Sequence, residues 1–153
     1  MSIFFFDTSA LAKRYMPETG MIWVRKQTAS SSGNSIVIAR ITPVELYSAI
    51  SRKYHDGLFD LQRLQAFRRL FSSHIRHQYL VMELTPTVIT RALNLHESHR
   101  MRAYDAVQLA SALELHNRLT TAGTSFSFIA ADQHLLQVAT TAGLTTDNPN
   151  NYP

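Results

Sequence analysis

Four acidic residues stand where core packing gives them no role. Asp7 closes the apolar run Ile3, Phe4, Phe5, Phe6 and is followed at once by Thr8 and Ser9. Asp132 closes a second apolar run that begins at Phe126, and Glu45 and Asp105 each fall in the first turn of a helical pattern. Ionised groups are costly to remove from water, so a carboxylate at the end of a buried strand needs a purpose other than packing. Oxygen donors meeting at one sheet edge suit a hard divalent cation such as Mg²⁺ or Mn²⁺, which keeps several waters and takes few protein ligands. Such ions neutralise charge on a phosphodiester and lower the pKa of bound water. The expectation is metal-dependent phosphodiester cleavage, with Asp7, Glu45, Asp105 and Asp132 as metal ligands and catalytic residues.

Each acid also has a local reading. Asp7 and Asp132 are placed to cap the helices that follow them. Glu45 stands three residues after Thr42, the spacing of a capping box with Thr42 as N-cap and Pro43 as first helical residue. Asp105 complements a helix dipole. A carboxylate has several lone-pair sites, so capping and metal binding are compatible. Ser9 reads as the cap of the first helix, and Thr8 as a hydroxyl that orients a water or a substrate phosphate.

The elements that must position these groups alternate. Short apolar runs at residues 3–6, 36–39, 79–84 and 126–130 read as strands, and residues 144–146 as a short edge strand. Helical patterns cover residues 9–15, 19–29, 42–54, 61–75, 86–96, 103–119 and 133–142. In the fourth of these, Leu61, Leu64, Phe67, Leu70 and Phe71 share a face. Strands alternating with helices predict a three-layer α/β/α domain around a mostly parallel sheet of four or five strands, spanning residues 1–153. In such sheets the functional crevice lies beyond the carboxyl ends of the strands. Asp7 and Asp132 fall there by sequence order, and Glu45 and Asp105 by their places at helix N-termini.

Composition narrows the partners. The chain has 153 residues, 15 Lys and Arg against 11 Asp and Glu, and no cysteine. Thiolate metal sites, thiol nucleophiles and disulfides are excluded. With four acids committed to one site the remaining surface is clearly basic, which favours a polyanion such as nucleic acid. Arg40, just before the Glu45 helix, and Arg100 and Arg102, in the basic segment 96–102 before Asp105, are placed to contact substrate phosphates. No apolar run reaches the roughly 18 residues of a membrane span. The amino-terminal run lacks a preceding basic region and is interrupted at Asp7, so no signal peptide is expected and a cytoplasmic location is.

The motifs carry a resemblance. Asp7-Thr8-Ser9-Ala10-Leu11 resembles the opening motif of PIN-domain nucleases, and Val44-Glu45-Leu46 their second acidic motif. The stretch from Arg102 through Tyr104-Asp105-Ala106-Val107-Gln108 to Ala110 resembles the third, and Ala131-Asp132-Gln133-His134 with Gly143-Leu144 and Asn148-Pro149 the last. The set runs in order along nearly the whole chain, whose size is that of the compact toxin members called VapC. The resemblance implies a Mg²⁺- or Mn²⁺-dependent ribonuclease, the toxin of a pair, held inactive by a small antitoxin. Apolar faces on segments 19–29 and 61–75 are expected to bind that antitoxin or a second copy of the chain as a homodimer. One departure is Ala130: the family often carries Ser or Thr two residues before its last acid, so a hydroxyl that would steady Asp132 is missing.

Other classes fit less well. There is no Gly-x-Gly-x-x-Gly or P-loop, which argues against nucleotide-dependent kinases and dehydrogenases. A haloacid-dehalogenase-type phosphatase needs an Asp where Ser9 stands, and a receiver domain needs adjacent acids near its first strand. Histidine pairs such as His74/His77 lack the company of a zinc site. The strongest rival is a non-catalytic RNA-binding or protein-interaction module with the same fold.

Overall fold

The computed structural model describes residues 2–152. Its strands β1 (Ile3–Phe6), β2 (Ser35–Ala39), β3 (Tyr79–Met82), β4 (Ser127–Ile129) and β5 (Thr145–Asp147) form one parallel sheet in the order β3-β2-β1-β4-β5. Between them lie α1 (Thr8–Leu11), α2 (Met21–Gln27), α3 (Thr42–His55), α4 (Leu61–His77), α5 (Pro86–Ser98), α6 (Ala103–Thr121) and α7 (Gln133–Thr141). Neighbouring residues of each central strand serve opposite layers, which is why these runs are apolar throughout. Phe5, Val37 and Phe128 pack with Leu109, Leu113 and Leu135 of α6 and α7. Phe6, Ile38 and Ile129 pack with Leu11, Leu46, Ile50 and Phe67 of α1, α3 and α4. The result is the three-layer α/β/α sandwich the alternation implies.

The strand order reverses direction at β1. Strands β2 and β3 extend the sheet one way, and the chain then returns to lay β4 on the other side of β1. Crevices open at such switch points, beyond the carboxyl ends of the strands. Asp7 follows β1 and Asp132 stands three residues past β4, so both acids sit at the switch. The backbone N–H of Asp7 donates to the Ile129 carbonyl at 2.9 Å, continuing the ladder to the first of them. Ala92 of α5 packs with Ala106 and Ala110 of α6, and these small side chains let α5 support the helix that carries Asp105.

Several elements differ from the sequence expectation. The first helix is α-helical only to Leu11 and tightens into a 3-10 turn over Ala12–Arg14. Helix α3 starts at Thr42, but its N-cap is Ile41 and no side chain caps it. The capping box is not formed: the Thr42 hydroxyl is fully buried and accepts a hydrogen bond from Gln108 instead. The apolar face of α4 is also divided. Leu64, Phe67 and Phe71 face the core, while Leu61 and Leu70 are about half exposed at 51% and 50%. The surplus apolar surface on α4 is therefore smaller than the sequence pattern implies.

Gly20, at the N-cap of α2, adopts φ +85°, and a Cβ there would stand 2.3 Å from the Pro149 carbonyl oxygen. Gly143 has φ +91° with open space around it. Both alanine substitutions carry the strain of a positive φ, of order 1 kcal/mol, but only Gly20→Ala also forces two backbones apart. Gly20→Ala is expected to lower the melting temperature clearly more than Gly143→Ala. Equal shifts in thermal denaturation would contradict the close approach of α2 to the carboxyl-terminal segment.

Candidate active site

Asp7, Glu45, Asp105 and Asp132 all line one hollow of about 370 Å³, together with Thr8, Ser9, Ser48, Arg52, Arg102 and Tyr104. A more open hollow of about 620 Å³ over α7 and β5 has a single carboxylate, Asp147, whose oxygens are taken by the Asn148 N–H and the Tyr152 hydroxyl. The four-acid hollow is the one with chemical potential.

Two of the acids, Asp7 and Asp132, are held as helix caps. Asp7 is only 3% exposed and caps α1: its Oδ2 accepts the Ser9 N–H at 2.8 Å and the Ser9 hydroxyl at 2.6 Å. The Ser9 hydroxyl in turn accepts the Ala131 N–H at 2.9 Å. Ser9 is thus not itself the cap; it ties the end of β1 to the segment that carries Asp132. Ala130 has no hydroxyl to offer there, and Ser9 secures the adjacent backbone from the other side. Asp132 is the N-cap of α7, with Oδ1 accepting the Leu135 N–H at 2.9 Å. Capping and pocket placement coexist at both aspartates.

Glu45 is held from two directions. Its Oε2 accepts the Thr8 hydroxyl at 2.8 Å and the Gln108 amide at 2.6 Å. The same amide nitrogen lies 2.8 Å from the Thr8 hydroxyl and 2.9 Å from the Thr42 hydroxyl. Gln108 is fully buried, and its Oε1 has no partner among the described residues, a deficiency that costs ~1–3 kcal/mol. Turning the amide over would set that oxygen against the Glu45 carboxylate, so nitrogen must face the acid.

The electrostatics are those of a site short of positive charge. Burial pushes the Asp7 carboxyl up to about 6, partly offset by the two Ser9 hydrogen bonds and reinforced by Glu45 and Asp105. Burial raises Glu45 as well, against the Gln108 and Thr8 hydrogen bonds, with Asp105 adding repulsion. Asp105 is raised by burial and then by Asp132, while Arg102 and His134 pull it back. Among the described residues none of the four acids forms an ion pair. Asp7, Glu45 and Asp132 each keep one carboxylate oxygen with no hydrogen bond among those residues.

That donor set fits a hard divalent cation: oxygen ligands only, ionisation of Asp7, Glu45 and Asp105 disfavoured without a positive charge nearby, and a free oxygen on each of three fixed carboxylates. No three of these side chains close into a ready-made cage among the described residues. Mg²⁺ needs none, because it binds through one or two carboxylates and retained waters.

The cationic and hydroxyl residues expected from sequence divide. Arg102, the N-cap of α6, lines the hollow. Thr8 lines it too, but its hydroxyl donates a hydrogen bond to Glu45. Arg100 lies outside, in a separate hollow with His96 and His99, its carbonyl within 2.8 Å of His134 Nε2. Arg40 is also outside. Because Ala39 pairs with Met82 across β2 and β3, residues 40 and 83 are adjacent, and Arg40 forms a salt bridge with Glu83. Arg52, Tyr104 and Gln108 are the functional candidates that sequence reasoning missed. Glu45, Ser48 and Arg52 follow the three- and four-residue spacing of one helix face, a signal present in the sequence.

The PIN domain family model matches residues 4–133. The chain belongs to the PIN-domain family. Members of this family are generally nucleases. Solved structures agree in fold: FitAcB from Neisseria gonorrhoeae superposes with a TM-score of 0.63 at 13% identity, covering 95% of this chain and 97% of that one. VapBC2 from Rickettsia felis, bound to a DNA fragment from its promoter, gives 0.61 at 11% identity, covering 95% and 98%. A toxin–antitoxin complex from Klebsiella pneumoniae gives 0.58 at 19% identity, covering 97% and 98%. At these identities the likeness is one of fold. A comparison with curated protein sequences finds no match. No described helix is long and apolar enough to cross a membrane.

The raised Asp7 value sets a stability test. Folded Asp7 holds its proton more tightly than unfolded Asp7, so its contribution is full below the unfolded value of 3.8 and is lost as pH rises through about 6. Asp7→Asn keeps the shape without the charge. In metal-free buffer at pH 7 it should be more stable than wild type, the difference shrinking as pH falls through about 6. Urea denaturation of both proteins across that range measures it. A less stable Asp7→Asn at pH 7 would contradict the desolvation account.

Proposed function

We propose that this PIN-domain protein is a Mg²⁺- or Mn²⁺-dependent endoribonuclease and the toxin of a toxin–antitoxin pair. The observation that carries the reading is the convergence of Asp7, Glu45, Asp105 and Asp132 on one hollow without ion-pair partners among the described residues. All four would hold the ion, Asp7 and Asp132 through the oxygens their caps leave free and Glu45 through the oxygen that Thr8 and Gln108 leave free. When bound, the ion supplies neutralisation of phosphate charge and makes water a better nucleophile. The chain's own groups do the rest. Ser9 and the Thr8–Gln108 pair fix the orientation of Asp7 and Glu45. Arg102 and Arg52, at the wall of the hollow, attract and orient the phosphate backbone. Tyr104, 52% exposed beside them, offers a ring on which an unpaired base can stack. That arrangement favours single-stranded RNA.

The partner surface is a second hollow, lined by Tyr15, Ile50, Phe59, Phe67 and Leu70 and edged by Arg14, Arg25 and Arg63. None of these arginines has a carboxylate partner among the described residues. Apolar walls with a cationic rim fit an antitoxin segment that carries a large apolar anchor and flanking acids. A second copy of this chain is the competing occupant. Co-expression with the small protein encoded beside the gene separates them. Leu70→Glu should abolish co-purification while leaving sedimentation of the isolated protein unchanged. A Leu70→Glu protein that changes only its own oligomeric state would favour the homodimer.

Activity is tested on the isolated protein, stripped of any inhibitor. Wild type should cleave single-stranded RNA with Mg²⁺ or Mn²⁺ and stop in EDTA. Asp7→Asn should lose orders of magnitude of activity with its fold intact. Arg102→Ala should instead weaken RNA binding and reduce its salt dependence by about one phosphate contact. Equal cleavage in EDTA by wild type and Asp7→Asn would refute the metal mechanism. No cleavage with any divalent ion would favour the interaction-module reading.

A further inference from the structure

We infer that Gln108 is a positioning residue for the cation site, acting through Glu45; the inference rests on the reading of the acidic hollow as a metal site. Gln108 stands on α6 one turn after Asp105, but its side chain points into the protein and is fully buried. Its amide nitrogen reaches groups from three other places in the chain: Thr8 on α1, Thr42 at the start of α3, and Glu45 one turn later. An amide has two protons, and here three oxygens surround them. The shortest approach, 2.6 Å, is to Glu45 Oε2.

A residue chosen for packing would not look like this. A leucine or methionine would fill the volume without leaving Oε1 buried and unpartnered. The amide is retained at a cost, and the groups it serves explain why. Thr8 and Gln108 both donate to Oε2, and Thr8 accepts from Gln108, so the three side chains close a hydrogen-bonded triangle. The triangle immobilises one carboxylate oxygen and aims the other at the hollow. Because Gln108 shares α6 with Asp105, it also sets the spacing between the two acids that repel each other across the site. Groups that orient metal ligands in this way are typically worth roughly 10–100-fold in metal affinity.

The test measures Mn²⁺ affinity directly, by electron paramagnetic resonance of the free ion, on the full-length protein alongside its melting temperature. Gln108→Met keeps length and volume but removes both donors. It should bind Mn²⁺ roughly 10–100-fold more weakly with a melting temperature at or above that of wild type. Thr42→Val removes the amide partner that does not touch Glu45, and should leave affinity within about twofold of wild type, because the triangle survives. A purely structural Gln108 predicts that both variants change melting temperature and neither changes affinity, and that result would overturn the inference. If Gln108→Met does not fold, Gln108→Leu, which also removes both donors, takes its place; unchanged affinity there overturns the inference equally. Failure of wild type to bind Mn²⁺ would instead refute the metal-site reading on which the inference depends.

Discussion

An aspartate buried at the end of a strand, beside other acids, is the constraint from which the rest of the site follows. Asp7 lies at the centre of the sheet edge, almost without solvent, beside two other acids and with no ion-pair partner among the described residues. Desolvation and like-charge repulsion both favour its neutral form. The protein counters with hydrogen bonds: two from Ser9 to Asp7, one each from Thr8 and Gln108 to Glu45. These hold the carboxylates in place but leave the charge uncompensated. The site is stable as a scaffold and incomplete as an electrostatic arrangement, the state expected of a pocket whose positive charge arrives from outside.

The fold makes this placement possible. Reversal of strand order at β1 opens the sheet edge between β1 and β4, where a compact domain would otherwise close over its strand ends. Each acid then reaches the opening from a different element, two as helix caps and two from first helical turns. The helices are tied to one another by side chains rather than by proximity alone. Ser9 joins the β1 end to Ala131, and Gln108 joins α6 to α1 and α3. Core packing and site geometry therefore share residues, and an error in one is felt in the other.

How much of this was legible in sequence follows from the range of each interaction. Asp7 and Asp132 could be placed at the carboxyl edge of the sheet because each directly ends or follows an apolar run, whereas the pairing of β1 with β4 that makes them neighbours comes from the fold. Thr85, which accepts the Val88 N–H beside Pro86, makes its cap within one helical turn. Thr42 had the same local signature, yet its hydroxyl turned inward, because a glutamine 66 residues away offered a buried donor. Arg40 was placed by its distance from Glu45 along the chain, whereas β2–β3 register paired it with Glu83. The burial of Gln108 was invisible for the same reason: a polar residue in a long helix reads as surface until its neighbours from other elements are known. Local capping and periodicity were readable, and side chains whose partners come from distant elements were not.

The most direct test of the account is the ionisation of Asp7 itself, followed by ¹³C NMR of its carboxyl carbon with and without a saturating diamagnetic divalent cation. Without the ion the carboxyl should titrate near pH 6, as burial requires. With Mg²⁺ present it should remain ionised to well below that value, because the cation supplies the missing charge. An Asp7 that titrates like a solvated aspartate, or one whose titration Mg²⁺ leaves unmoved, would contradict the claim that this sheet edge is built to receive a metal ion.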